Sequence, residues 1–246
     1  MRLKVLDSGS RGNCYLLESE QETLIIELGL PWNTVLQALD FDTSCVKIAI
    51  VSHCHNDHSM GVAGALEAGV DVLTSKGTAD SLHIQGHHLK TIADGGRYTA
   101  GKFEIKAFGV IHDAPEPLGF LVRHPESGVI CFVTDSYFVE YKFQGVNQFI
   151  VECNYDPEIL RRNVEAGLVP AVVAERVQQN HMSIDSCRDF LLASDLDNVA
   201  NIVLIHLSKR NADPAGFQKS IQQQTGKLTH IARAGMCIDG FGIYPF

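Results

Sequence analysis

The chain has 246 residues, 45% apolar and 20% charged, close to the globular average. A chain this long buries roughly 70–75% of its unfolded surface without disulfide staples, and its composition excludes a disordered chain, a collagen and a coiled coil. Twenty basic against 29 acidic residues leave a net charge of −9, which argues against a broad basic face for long nucleic acid, unless several carboxylates are metal ligands.

Residues 3–6 form the first expected strand, followed by a turn at 7–13 that contains Gly9 and Gly12. The charged start Met1-Arg2-Leu3-Lys4-Val5 does not read as a signal peptide. Strands at 14–17 and 23–26 are joined through the polar stretch 18–22, and Pro31 opens a helix reaching to about residue 39. A buried strand at 46–51 leads directly into Ser52-His53-Cys54-His55-Asn56-Asp57-His58. A helix is expected over 57–68, closed by Gly69, then a short strand at 70–73 and a short helix at 79–84. A second run of strands covers 103–108, 119–123 and 129–133, with Glu126-Ser127-Gly128 as a hairpin turn. Residues 149–151 make a further strand, 157–166 and 184–193 helices, 202–205 a strand and 214–224 a closing helix. Two groups of strands, each followed by helices, predict an α/β fold of two sheets packed face to face with helices on both outer faces. With no linker or low-complexity stretch, residues 1–246 read as one domain. No apolar run approaches the ~18 residues of a membrane span. Seven cysteines without a C-x-x-C pair read as reduced, mostly buried thiols of a cytoplasmic protein.

The chemistry begins at the histidine cluster. His53 and His55 are two apart at a strand end, so their rings point the same way. Asp57 and His58 follow where the chain turns into a helix. Three imidazoles and a carboxylate are a zinc-type set, and open catalytic sites combine such ligands with a water. Four donors from one loop exceed what a single ion with an open position takes, which suggests two ions completed from elsewhere. His112, Asp135 and His206 each follow an apolar strand, where loops gather into sites. Singly, each reads as a surface residue; three repeats of one placement favour ligation. Cys54, between two candidate ligands, reads as structural.

H-x-H-x-D-H at 53–58, then a lone His, an Asp after a strand and a final His, resembles the metallo-β-lactamase-fold hydrolases over nearly the whole chain. Ser8-Gly9-Ser10-Arg11-Gly12-Asn13-Cys14, His112-Asp113-Ala114, Glu152-Cys153-Asn154-Tyr155, His181-Met182-Ser183 and His206-Leu207-Ser208 resemble its YycJ (WalJ) branch, phage-borne members included. That branch is similar to RNase Z and to phosphodiesterases. The resemblance implies a four-layer αββα sandwich of two mixed sheets. It implies one divalent ion on His53, His55 and His112, a second on Asp57, His58 and His206, and Asp135 between them. Zinc is the default ion and manganese the alternative. A hydroxide bridging the ions would be the nucleophile, with Asp57 among the catalytic residues and DNA exonuclease the implied activity. A homodimer is a further implication, with no interface assigned.

The family carries Asp where Ile25-Ile26-Glu27 places Glu27, and the longer carboxylate is expected to steady a ligand from behind. A departing phosphodiester oxygen needs a proton, for which His is the usual donor. His181 with Glu152 matches the pair that RNase Z relatives use; capping of the helix that begins near Ser183 is the other reading of His181. The turn at 7–13 lacks G-K-[ST] and precedes a strand, so it is no phosphate loop; as a tight turn it still brings the hydroxyls of Ser8 and Ser10 toward substrate. Asn154, Ser208 and Arg210 complete the expected substrate contacts, the basic pair Lys209-Arg210 suiting either a phosphate or a solvated loop. Small cyclic nucleotides are the alternative substrate, favoured by the acidic net charge. Thioester or lactam hydrolysis ranks lower, because lactamases of this fold carry Cys where Asp135 stands and lack the His181 element. A redox di-iron enzyme needs an acid in place of His55.

Overall fold

The computed structural model describes residues 1–243; the last three residues of the expected domain lie outside them. The chain first lays down β1 (Arg2–Asp7), β2 (Cys14–Glu18) and β3 (Thr23–Ile26) as an antiparallel meander. Helix α1 (Trp32–Ala38) crosses to β4 (Val46–Ile50), which pairs parallel to β3. Helices α2 (Asn56–Ser59) and α3 (Val62–Glu67) lead to β5 (Val72–Thr74), and α4 (Lys76–Ser81) to β6 (Leu89–Thr91), both added in parallel. In the second sheet β7 (Arg97–Ala100), β8 (Phe103–Gly109), β9 (Leu118–His124) and β10 (Gly128–Val133) are antiparallel neighbours. Strand β11 (Gln148–Glu152) then pairs in parallel. Helices α5 (Pro157–Glu165), α6 (Ala171–Asn180) and α7 (Ile184–Ala193) lead to parallel β12 (Asn201–Ile205), and α8 (Pro214–Thr225) to parallel β13 (Leu228–Ile231). Strand β14 (Cys237–Ile238) returns to the first sheet, antiparallel to β1. Both sheets have seven strands and the same internal order, three antiparallel steps followed by three parallel ones.

Period-two alternation divides each strand between two cores. Tyr15 and Leu17 of β2 face the other sheet and join Ile26, Ile50, Phe103, Phe120 and Phe132 in the central cluster. Cys14 and Leu16 face outward and pack with Val35 of α1 and Val62 of α3. In the second sheet Ile150 points inward, while Phe149 and Val151 lie under Phe190 of α7 and Phe217 of α8. The layers are therefore the expected helix–sheet–sheet–helix sandwich. Helices α5 and α6 carry a small cluster of their own, with Tyr155, Leu160, Val169 and Ala174.

Some elements differ from the sequence expectation. The helix expected over 57–68 is two short helices, because Gly61 turns the chain between them. Its amide donates to Leu28 O at 2.7 Å, and a Cβ there would stand 2.5 Å from Leu30 O. The helix expected at 79–84 starts earlier, where Ser75 Oγ accepts from the Thr78 amide. Helix α6 has no counterpart in the sequence reading, since its Val172 and Val173 are exposed rather than part of a buried stripe. All seven cysteines are free, and Cys14, Cys131, Cys153 and Cys187 are buried. Among the described residues no helix is long and apolar enough to cross a membrane.

Candidate metal centre and active site

A cleft forms where the parallel strands of both sheets end, the place where loops of open α/β sheets gather. The first sheet delivers His53 and His55 beyond β4, with Asp57 and His58 in the single turn of α2. The second delivers His112 beyond β8, Asp135 beyond β10, Glu152 at the end of β11 and His206 beyond β12. Glu27, one residue past β3, has φ 64°; Asp135 and His206 have φ 32° and 55°. Non-glycine residues are uncommon in this left-handed region and cluster at functional sites. Each of the three marks an abrupt turn of the chain as it leaves a strand.

Two sets of donor atoms result. His53, His55 and His112 bring one nitrogen each within 4.8 Å of one another, as do the nitrogens and oxygens of Asp57, His58, Asp135 and His206. His112 Nε2 lies 3.1 Å from His55 Nδ1. Asp135 faces both sets. Its Oδ2 is 3.9 Å from His53 Nε2 and 3.8 Å from His112 Nε2, and its Oδ1 is 3.2 Å from His58 Nε2 and 3.5 Å from His206 Nε2. Asp57 Oδ2 stands 3.3 Å from His206 Nε2 and 3.6 Å from His58 Nε2. Donors about 2.0–2.2 Å from a tetrahedral ion are themselves roughly 3.3–3.6 Å apart, and the separations here, from 3.1 to 3.9 Å, bracket that range, as suits an ion of zinc size.

The outer side of each ring supports the same fit. His53 Nδ1 meets Ser52 Oγ at 2.9 Å, His112 Nδ1 donates to Asn180 O at 3.1 Å, and His58 Nδ1 faces Glu27 Oε2 at 3.3 Å. Partners of this kind fix which nitrogen is left for an ion. His53 Nε2 is buried without a hydrogen-bond partner among the described residues, an orphan that a cation would satisfy. Glu27 is fully enclosed behind His58, where burial raises its pKa, and its Oε1 accepts from the Ser52 amide at 3.1 Å.

Charge divides the two sets. Burial holds His53 and His112 below the ordinary histidine pKa, and so neutral, as ligands must be. Burial also works against charge on His58 and His206, but there carboxylates outweigh it. Asp135 and Glu27 push His58 up to about 10, and Asp135, Asp57 and Glu152 raise His206 well above its usual value. Asp135 is held well below the carboxylate range: burial opposes its ionisation, and His206 and His58 prevail. The carboxylates around His58 and His206 thus favour positive charge at this place, which is what divalent ions would supply.

His181 and Glu152 stand beside these donors. His181 Nδ1 lies 2.6 Å from Glu152 Oε1, and its ring stacks on His206 at 5.4 Å and 14°. Glu152 Oε2 accepts from the amides of Ser136 at 3.0 Å and Met182 at 3.1 Å. Burial opposes charge on His181, yet Glu152 raises its pKa above the ordinary value. Helix α7 is capped by Ser183, whose side chain accepts from the Ser186 amide, so capping does not explain His181. Donor atoms of Asp135, Glu152, His181 and His206 also lie within 4.8 Å. With both oxygens of Glu152 already engaged, this third grouping suits a proton relay better than an ion.

Ser10, Asn154, Ser208 and Arg210 line a pocket that shares Ser10, His181 and His206 with the cleft. Ser8 lies elsewhere: its Oγ accepts from the His206 amide at 2.9 Å and meets the Tyr15 hydroxyl at 2.8 Å, so it holds His206 rather than facing substrate. Asn154 has a second task, with Nδ2 donating to His206 O at 2.8 Å. Sequence reasoning misses Asp113 and Arg176 as cleft residues. Asp113 Oδ1 is 3.4 Å from His112 Nε2, and its Oδ2 pairs with Arg176 Nη2 at 3.2 Å. The motif His112-Asp113-Ala114 contained a signal for the first; nothing local marks the second.

Fold and site together define a metal-dependent hydrolase, and the chain belongs to the metallo-β-lactamase superfamily, whose family model matches residues 8–140. Among curated proteins it is similar to the exodeoxyribonuclease YycJ of Bacillus anthracis, 28% identical over 227 residues that cover 86% of this chain and 84% of that protein. It is also similar to the exodeoxyribonuclease WalJ of Streptococcus pneumoniae, 24% identical over 225 residues, covering 85% and 82%. Among solved structures it resembles the metallo-β-lactamase fold protein YhfI from Bacillus subtilis, with a TM-score of 0.73 at 16% identity over 97% of this chain and 99% of that one. The short form of human tRNase Z gives 0.64 at 17% identity, again over 97% and 99%.

Proposed function

We propose that the chain is a two-metal phosphodiesterase of nuclease type that hydrolyses DNA. The observation that carries this reading is Asp135, which turns one oxygen toward each donor set, with the His181–Glu152 pair alongside. His53, His55 and His112 would hold one ion, Asp57, His58 and His206 the other, with Asp135 shared; zinc fits this nitrogen and oxygen set, and manganese is the alternative. When bound, such a pair of ions activates a water near neutral pH and offsets charge on the phosphoryl group. The chain's own residues supply the rest. Glu152 accepts from His181 Nδ1–H and favours the charged imidazolium, whose second proton, on Nε2, is the one available to the departing oxygen. Glu27, Ser52 and Asn180 hold the ligand rings in place. The names of the YycJ and WalJ relatives support DNA as substrate and an end as the point of attack. Seven free thiols agree with a reducing compartment, and we place the protein in the cytoplasm.

The test offers end-labelled single- and double-stranded DNA, RNA and cyclic nucleotides to the purified enzyme with Zn²⁺ or Mn²⁺. DNA should shorten from an end, and Asp135→Ala should abolish the reaction. Hydrolysis of cyclic nucleotides with no shortening of DNA would replace this reading by the smaller substrate.

A further inference from the structure

The pocket beside the cleft is lined by residues that, apart from Asn154, His181 and His206, serve neither metal binding nor proton delivery. Its volume is about 460 Å³, within the ~300–1,000 Å³ usual for small-ligand sites. One wall is aliphatic, built by Leu168, Val169 and Pro170 between α5 and α6 and by Val173 and Val177 on α6. The rest of the lining comes mainly from the loop after β12, with Ser208, Lys209, Arg210 and Asn211, and Arg210 Nη1 donates to Leu168 O at 3.4 Å. Hydrogen bonds fix that loop. The Ser208 amide donates to Asn154 O at 2.8 Å, Asn211 O accepts from the Asp156 amide at 2.7 Å, and Asn163 Nδ2 donates to Arg210 O at 2.9 Å. Leu168 and Val173 remain 61% and 45% exposed. At its inner end, His181 and His206 belong to pocket and cleft alike.

We propose that this pocket receives one nucleoside, the one attached to the oxygen that leaves the phosphorus. The inference rests on the phosphodiesterase reading above. An aliphatic wall suits the face of a base, while a hydroxyl, an amide and two cations in the same lining suit its edge, the sugar and a following phosphate. An acyl chain would make no use of the polar loop side, and a sugar alone would leave the apolar wall uncovered. The side follows from His181. It closes the C-terminal end of α6, whose preceding turns carry Val173 and Val177 on the border between cleft and pocket. A group attached to an oxygen at His181 Nε2 therefore continues into this pocket. In the reaction, water oxygen bonds to phosphorus and the bond from phosphorus to the nucleoside oxygen breaks. That oxygen takes the His181 proton, and the proton lost by the water passes to solvent.

Methyl thymidine phosphate, in its 3′ and 5′ isomers, tests the assignment because either of two bonds can break. Cleavage on one side gives thymidine and methyl phosphate; cleavage on the other gives methanol and thymidine phosphate. With the metal-loaded enzyme, thymidine and methyl phosphate should dominate for at least one isomer. Leu168→Asp, which puts a carboxylate on the apolar wall, should lower that product ratio about tenfold or more. Val172→Asp, on the outer side of α6 and 73% exposed at a position away from the pocket, should leave the ratio unchanged. Calorimetric titration with thymidine alone should show binding weakened about fivefold or more in Leu168→Asp, with an unaltered melting curve as the folding control. Methanol as the main alcohol from both isomers overturns the assignment, as does a ratio or a thymidine affinity that Leu168→Asp does not move. Either result leaves the phosphodiesterase reading standing. Thymidine binding with no hydrolysis of either isomer or of DNA removes the phosphodiesterase reading and the leaving-side assignment with it.

Discussion

Replacing His181 by alanine deletes a proton donor and leaves every donor atom of the two metal sets in place. Turnover of a diester that expels a sugar hydroxyl should fall by about 10²–10⁴-fold, while elemental analysis still finds two ions. A nitrophenyl ester, whose leaving group needs no proton, should be hardly affected, and Glu152→Gln should show the same contrast more weakly. Loss of an ion in His181→Ala would make His181 a ligand instead. Because Glu152 raises the His181 pKa, the donor is charged below that value and spent above it. Turnover on the sugar-expelling diester should therefore decline as pH rises past the ordinary histidine range near ~6.5, and the decline should be missing in His181→Ala. Asp135→Ala removes the oxygens that face both sets, and should abolish activity together with metal retention, measured as ions per chain. The convergence of donors is legible in the sequence because strand, short loop and helix turn are local, and His53 to His58 span one such unit. Ser8 is not legible in this way. Its partner, the His206 amide, lies 198 positions away, and no local pattern distinguishes a serine that props a ligand from one that faces substrate.

Close approach of backbone explains a glycine that no motif reading singles out. A Cβ on Gly29 would stand 1.7 Å from Asp57 O and 2.6 Å from the Asn13 amide nitrogen, so the segment after β3 lies directly against the turn that carries Asp57 and His58. Gly29→Ala should push that turn outward. The expected cost is about 1–3 kcal/mol of stability, the usual scale for overpacking, with fewer ions retained, read by urea denaturation and elemental analysis. Far from the cleft, Glu22 between β2 and β3 joins the sheets at another point. Its carboxylate meets His124 Nε2 of β9 at 3.1 Å and accepts from the Lys102 amide before β8 at 3.1–3.2 Å. Glu22→Ala leaves these groups unanswered in a buried place, and should destabilise the fold by about 1–3 kcal/mol with no change in ions bound. Strands β2, β3, β4, β8 and β10 are legible because apolar residues dominate or alternate in them between turn residues. Strands β6, β7, β13 and β14 are not: they have two to four residues each, lie at or next to a sheet edge, and expose Arg97 and Leu228. Their conformation is set by the neighbour they pair with.

Each donor set draws on both sheets, so bound ions would join the two halves of the molecule as well as serve the chemistry. A ligand present at a hundred times its Kd stabilises the folded state by about 2.7 kcal/mol. Removing the ions with a chelator should lower the melting temperature, and restoring Zn²⁺ or Mn²⁺ should raise it; a melting curve indifferent to the chelator would count against ions at this seam. The first sheet has a further dependence. Leu3 pairs with Ile238, the Val5 amide donates to Met236 O at 2.8 Å, and Phe241 is fully buried in the central cluster. Strand β1 is thus made long before β14, the strand that covers its outer edge. At ordinary translation speeds that edge stays open for roughly 10–50 s, and an uncovered edge invites pairing with other chains. Ribosomes moving in file along one message hold several such edges close together, so the nascent chain meets its greatest risk of self-association in the interval between the synthesis of β1 and that of β14.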